Sequence, residues 1–306
     1  MGIKKCPGLG CVPPRVAVST LMALALGGIF SATAGAVTVT TNAEYEVTTT
    51  TPETVTDQDG PNSTNSGWIW SQVWYGAESL PTQVTEGVGP LDYYYTSYGY
   101  AGGFGETSGN LAANAALDMG DDVLDMWFQG SSTWTDTFSN NSGGPLSYDF
   151  SYYVNGGWLS LYGNGGTAGF SLEILLNGSS VWSRTATASG SPIDDNVVLD
   201  PDGLTHTIYY EPMYGYYDVY FEPFGGEVAL GEFAAGEQFD ITYNLDVWAW
   251  SESQYGGVYA NIGDPFGLGF SGELNASAPI PEPATVALLA LGLGGLGVRR
   301  WRGTPR

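Results

Sequence analysis

Cysteine is absent from all but the first eleven residues: Cys6 and Cys11 are the only two in a chain of 306. An exported domain is free to use disulfides, yet everything after Cys11 must be held by packing alone. Positive charge is almost as scarce. Eight Lys and Arg stand against 32 Asp and Glu, and of those eight only Arg184 falls between residues 37 and 278. All acids except Glu282 lie in that interval, so 31 acids against one base give the body a formal charge near −30. Such a surface repels nucleic acid and anionic membranes. It leaves divalent cations, cationic polymers and neutral glycans as partners. Histidine occurs once, as His206. Without a second histidine or a body cysteine, neither a Cys–His dyad nor a histidine-rich zinc site can be assembled. A serine triad would need His206, and no G-x-S-x-G elbow is present to supply its nucleophile. His206 therefore reads as a structural or exposed strand residue.

Helix signals are also few. Gly, Thr, Ser, Tyr and Trp dominate, turn residues recur every few positions, and the pattern is that of many short strands. An all-β fold is expected for residues 37–278, a jelly-roll-like antiparallel β-sandwich in which two packed sheets each bury one face. The alanine cluster from Leu111 to Ala116 is the one helix candidate, of one or two turns. The clearest strand is Gln238 to Trp250, where Phe239, Ile241, Tyr243, Leu245 and Val247 alternate with polar residues. Ala235-Gly236-Glu237 is the turn before it, with Val228 to Phe233 as its expected partner strand. Asn177-Gly178 between Phe170–Leu176 and Ser180–Thr187 predicts a tight antiparallel hairpin, because both residues tolerate positive φ. Further strands are expected at Thr38–Val47, Trp68–Tyr75, Thr133–Ser139, Leu146–Val154, Thr205–Glu211, Tyr216–Phe221, Val258–Ile262 and Leu268–Leu274. The Thr/Pro/Asp/Asn-rich segment Thr48–Ser66 reads as a long loop or linker.

Both ends are apolar with basic flanks. Lys4, Lys5 and Arg15 precede the apolar stretch Val16–Phe30, and small residues follow, which is the pattern of a secretory signal peptide over residues 1–36. Cleavage after Ala36 uses Ala34-Gly35-Ala36, with a cut after Ala34 as the near alternative. Cys11 lies before the hydrophobic region, which argues against lipidation. At the other end, Pro281-Glu282-Pro283 leads into an apolar run from Ala284 to Val298, followed by Arg299, Arg300, Arg302 and Arg306. As a helix this run reaches about 22 Å, against a hydrocarbon core of roughly 30 Å. The arginines mark its cytoplasmic end, and their stems can snorkel. The shortfall points to transient insertion in the inner membrane. Gly292 to Gly297 formally spells G-x-G-x-x-G, but no strand precedes it and no acidic ribose partner follows.

The tripartite tail of residues 279–306 resembles the PEP-CTERM sorting signal of exported bacterial proteins. The resemblance implies recognition by an exosortase at the inner membrane, cleavage near Pro281-Glu282-Pro283, and delivery to the cell surface or an exopolysaccharide matrix. More loosely, Gly225–Phe270 is similar to the C-terminal halves of many PEP-CTERM ectodomains, which implies a fold and no activity.

Candidate sites in the body are of two kinds. Carboxylates and carbonyls alone can hold calcium, and acids cluster at Asp57-Gln58-Asp59-Gly60, at Asp118 with Asp121, Asp122 and Asp125, and at Asp194, Asp195, Asp200 and Asp202. None completes an EF-hand. The favoured cluster is Asp200-Pro201-Asp202-Gly203, where acids in one tight turn repel unless a cation sits among them. Aromatics are the second kind: Trp68, Trp70 and Trp74, Tyr93-Tyr94-Tyr95 with Tyr98 and Tyr100, and Tyr214-Gly215-Tyr216-Tyr217. Trp68, Trp70 and Trp74 fall on one strand face. That stripe is either core or an exposed platform for stacking sugar rings. Three readings follow: a non-enzymatic surface or exopolysaccharide-associated protein, a lectin-like glycan-binding module, and a secreted glycan-active enzyme whose catalytic carboxylates the sequence does not select. No catalytic residue and no cofactor other than calcium is expected.

Overall fold

The computed structural model describes residues 32–34, 37–50, 54–76, 97–211, 215–263 and 269–277, with residues 32–34 as backbone only. Residues 1–31, 35–36 and 278–306 lie outside the described residues. So do Tyr93–Tyr95 and Tyr214.

The strands are β1 (Ala32–Ala34), β2 (Thr38–Thr49), β3 (Thr54–Thr64), β4 (Trp68–Tyr75), β5 (Tyr98–Glu106), β6 (Leu111–Asp118), β7 (Val123–Asn140), β8 (Leu146–Val154) and β9 (Gly157–Gly163). There follow β10 (Gly166–Leu176), β11 (Ser179–Gly190), β12 (Val198–Asp200), β13 (His206–Glu211), β14 (Tyr216–Phe221), β15 (Phe224–Phe233), β16 (Gln238–Ser251), β17 (Gly256–Ile262) and β18 (Phe270–Ser277). No helix occurs among the described residues. One sheet runs β12-β11-β10-β16-β7-β2-β3, with β1 on the end of β7. The other runs β13-β14-β9-β17-β6-β18-β8-β15 and forks at β6, which also pairs with β5, and β5 with β4. All pairings are antiparallel, and β7 and β16 of the first sheet pack on β5, β6 and β17 of the second. This is the two-sheet sandwich that the alternating pattern predicts.

β16 shows why. Phe239, Ile241, Tyr243, Leu245 and Val247 are buried, while Asp240, Thr242, Asn244 and Asp246 face out. The hairpin at Asn177-Gly178 is also present, with Leu176 opposite Ser179 and φ of 51° and 76° at the turn.

Three expectations are corrected. Leu111–Ala116 is no helix but the start of β6, flanked by β5 and β17. Alanine favours helix only weakly, and tertiary pairing overrides that preference where Leu111, Ala113, Ala115 and Leu117 must face the core. Thr48–Ser66 is not a loop, because β3 occupies most of it and forms the edge of the first sheet. An edge strand can be held by backbone pairing and polar ties without the apolar pattern that marks a central one. Asp59 supplies two such ties, accepting from the backbone N–H of Gln72 at 2.9 Å and from Asn62 at 2.9 Å. Finally, β15 does not pair with β16. It pairs with β8 in the other sheet, and residues 234–237 carry the chain from one sheet to the other. Both strands then point their apolar faces inward, and Phe233 stacks on Phe239 with ring centroids 4.0 Å apart.

β5 has its bulk reversed. Its inward positions are Gly99, Ala101, Gly103 and Gly105, and its outward ones include Tyr98, Tyr100 and Phe104. The inward glycines let the sheets approach until backbone meets backbone. A Cβ on Gly103 would lie 2.0 Å from the Ser131 carbonyl oxygen, and one on Gly130 would lie 2.2 Å from that of Gly102. Gly103→Ala must therefore push the sheets apart and is expected to destabilise the fold by about 1–3 kcal/mol. Urea unfolding measures this, and an unchanged midpoint would contradict the close approach.

Candidate functional site

The same reversal continues across the outer face of the second sheet. On β4, Trp68, Trp70 and Trp74 point away from the core and are 64%, 47% and 49% exposed, so the stripe is not core. Opposite them on β5 stand Phe104 and Tyr100. Beyond the small residues of β6 come Tyr259 on β17, Trp158 on β9 and Tyr220 on β14. The rings form a chain: Trp74 to Tyr100 at 4.9 Å, Tyr100 to Tyr259 at 6.5 Å, Tyr259 to Trp158 at 4.4 Å, and Trp158 to Tyr220 at 5.8 Å with planes only 6° apart. It crosses five strand spacings, roughly 24 Å. The outer face of the first sheet differs. Around Thr38, Thr40, Thr133, Thr135, Thr242 and Asn244 it is hydroxyl- and amide-rich, with Trp127, Trp248 and Trp250 gathered at one end.

Two depressions open in the aromatic face and meet at Gly263. One, of about 220 Å3, lies among Trp70, Gln72, Gly102, Phe104 and Asn114. The other, of about 470 Å3, lies among Gly157, Trp158, Tyr259 and Asn261. Neither is lined by a carboxylate or a histidine among the described residues. Asn114 Oδ1 and Trp158 Nε1 are buried without a hydrogen-bond partner.

At one end of this face, Tyr162 lies over Gly257, where a Cβ would come within 1.8 Å of its ring. Its hydroxyl reaches Asp118 and Tyr98. Burial pushes the Asp118 carboxyl above its usual range, and the hydrogen bond from Tyr162 draws it partly back. The folded state thus keeps the proton to higher pH than the unfolded chain. The resulting stability is complete below the ordinary carboxylate pKa of about 3.9 and is lost as pH rises through the folded value. Asp118→Asn keeps an acceptor for Tyr162 and removes the charge. Its melting temperature is expected to exceed that of the wild type near neutral pH and to match it at about pH 3; a constant difference at both would contradict this role for Asp118.

The acidic clusters are used otherwise than as a group. Among the described residues no three acids or histidines are placed to share a metal ion. In the favoured turn, the Asp202 carboxylate accepts from the Thr185 N–H at 3.1 Å and lies 3.9 Å from Arg184 Nη1, while Asp200 accepts from the Asp202 N–H. Arg184 is thus a cation beside Asp202. Asp194 lies apart, in a hollow of about 830 Å3 with Glu252, Trp250 and Tyr255, and Asp195 occupies a positive-φ turn position. Asp57 and Asp59 serve backbone and Asn62 donors, and Asp122 accepts from Ser97. His206 is held by Nδ1 against the Leu204 carbonyl at 2.9 Å and packs on Phe221. Ala34 ends β1, a three-residue strand on β7, while Ala36 lies outside the described residues. The sequence reading did not single out Asn114, Trp158, Tyr259 or Asn261. Their signal was the alternation of rings and amides with small or aliphatic residues on the opposite face.

No helix among the described residues is long and apolar enough to cross a membrane. Pro281, Glu282, Pro283, Arg299, Arg300 and Arg302 lie outside them, and there comparison with known proteins takes over. None of the curated proteins matches the chain. A solved structure of infectious bursal disease virus, Gt strain, is 12% identical over 87% of this chain and 68% of that one, with a TM-score of 0.11, which carries no argument about the fold. The model of the PEP-CTERM protein-sorting motif matches residues 279–302. The chain therefore carries a PEP-CTERM protein-sorting motif, the substrate signal of an exosortase, and is an exported protein processed at the membrane.

Proposed function

We propose that this chain is a non-enzymatic surface protein, delivered through its tail and held on polysaccharide outside the membrane by the aromatic face of its second sheet. The leader of residues 1–36 starts export, and the tail of residues 279–306 inserts transiently and is removed near Pro281-Glu282-Pro283. One observation carries the binding role: β5 turns Tyr98, Tyr100 and Phe104 outward while glycines fill its inward side. Core packing accounts for the inward glycines but gives no reason for the outward rings. A contiguous exposed aromatic surface is a binding surface by default, and flat rings offer apolar platforms to the C–H faces of sugars, with Gln72, Asn114 and Asn261 near to address hydroxyls. The −30 body charge removes nucleic acid and polyanions as ligands.

Affinity electrophoresis of the processed chain in gels cast with neutral polysaccharides tests this reading. Retardation by at least one of hydroxyethylcellulose, dextran and mannan is expected. Migration unchanged in all three would contradict it.

A further inference from the structure

Asn114 on β6, Asn261 on β17 and Trp158 on β9 are direct cross-strand neighbours in one row, which continues to Tyr220 on β14 and, on the other side, through Gly102 to Gln72. Asn261 Nδ2 donates to the Tyr259 hydroxyl at 3.3 Å. Its two neighbours, by contrast, leave Asn114 Oδ1 and Trp158 Nε1 buried and unpaired. A buried polar atom without a partner is a standing cost to the fold. Here one such atom is an acceptor, the other a donor, and each borders one of the two depressions.

Resting on the glycan reading above, we propose that this row is a subsite for neutral, hydroxyl-rich sugar units, Asn114 Oδ1 accepting from a sugar hydroxyl and the Trp158 indole N–H donating to a sugar oxygen. Hydroxyls donate and accept, so one kind of ligand satisfies both atoms. An anion would serve only the indole and would meet the Asn114 oxygen and the net charge of the body. A cation would serve only Asn114. Asn114 Oδ1 lies over Gly102, where a Cβ would stand 3.1 Å from it, and both residues line the first depression. Trp70 and Phe104 wall the first depression, Tyr259 and the Trp158 ring the second. The Asn114 and Trp158 positions are two strand spacings apart, roughly 10 Å. Adjacent units of a polymer, and not one monosaccharide, would engage both.

The test uses the processed chain with hydroxyethylcellulose, dextran and mannan as neutral probes, and carboxymethylcellulose as the charged counterpart of the first. Asn114→Ala is expected to weaken binding to the retarding neutral probe about tenfold, with a melting temperature unchanged or raised, since an unpaired buried acceptor is removed. Trp158→Phe keeps an aromatic ring, deletes only the N–H and part of the ring area, and is expected to weaken it by a similar factor. Stronger retention by carboxymethylcellulose than by hydroxyethylcellulose would overturn the neutral subsite. Full binding by both variants, with binding lost on replacing Trp68, Trp70 and Trp74, would overturn the subsite and leave the glycan reading standing. Wild-type chain retarded by none of the neutral probes would overturn both.

Discussion

Replacing Pro281, Glu282 and Pro283 with alanine is expected to leave nearly all of the chain in the inner membrane, still carrying its tail, with little or none released. The motif over residues 279–302 makes the chain an exosortase substrate, and the physics of the segment explains why processing decides its fate. The run from Ala284 to Val298 is apolar, but as a helix it is about 8 Å short of the hydrocarbon thickness. On the proposed route Arg299, Arg300 and Arg302 hold its end on the cytoplasmic side. On that route such a segment holds the body at the membrane until an exosortase cuts it, and cutting makes the release permanent. Without Pro-Glu-Pro the tether remains. Immunoblotting of membrane and released fractions measures the ratio and the tail's mass, and unaltered release of a shortened chain would contradict the sorting account.

The second large effect is on binding. Trp68, Trp70 and Trp74 each expose about half or more of their surface, so their joint replacement by alanine removes platform and little core. Aromatic anchors at binding surfaces are commonly worth 2 kcal/mol or more each on truncation. Even with strong non-additivity, the triple variant is expected to lose about a hundredfold in polysaccharide affinity. Its melting temperature should stay near that of the wild type. Phe128, on the facing sheet, is fully buried, and its truncation should instead cost about 3–5 kcal/mol of stability. That contrast separates loss of a surface from loss of the fold. A triple variant that binds like wild type would remove the platform from the account.

Where alternation and turn chemistry are local, the chain declares its structure. β4, β8 and β14 begin and end where the sequence pattern places them, and the Asn177-Gly178 hairpin forms because those two residues accept positive φ. Local pattern says nothing about which sheet a strand joins. β15 and β16 look like a hairpin, and the reason they are not is a long-range one, the packing of Phe233 on Phe239 across the core. β6 misled for a related reason. The alanines of Leu111–Ala116 read as helical until pairing with β5 and β17 makes the segment a strand. The tryptophan stripe followed the same course: period two put Trp68, Trp70 and Trp74 on one face, and only the tight contact beneath β5 settles that it is the outer one. At Asp202 the repulsion was readable, but the cation beside it, Arg184, is 18 positions earlier in the chain and meets it only through strand pairing.

Partition of the native chain answers the central claim most directly. Cells making wild-type protein or the Trp68, Trp70 and Trp74 to Ala variant can be separated into cytosol, membrane, polysaccharide and free medium, and the chain weighed in each. Wild type should appear without its leader and tail, in the polysaccharide fraction, and the equally processed variant should move to the medium. Identical partition of the two, or intact chain in the cytosol, would contradict it.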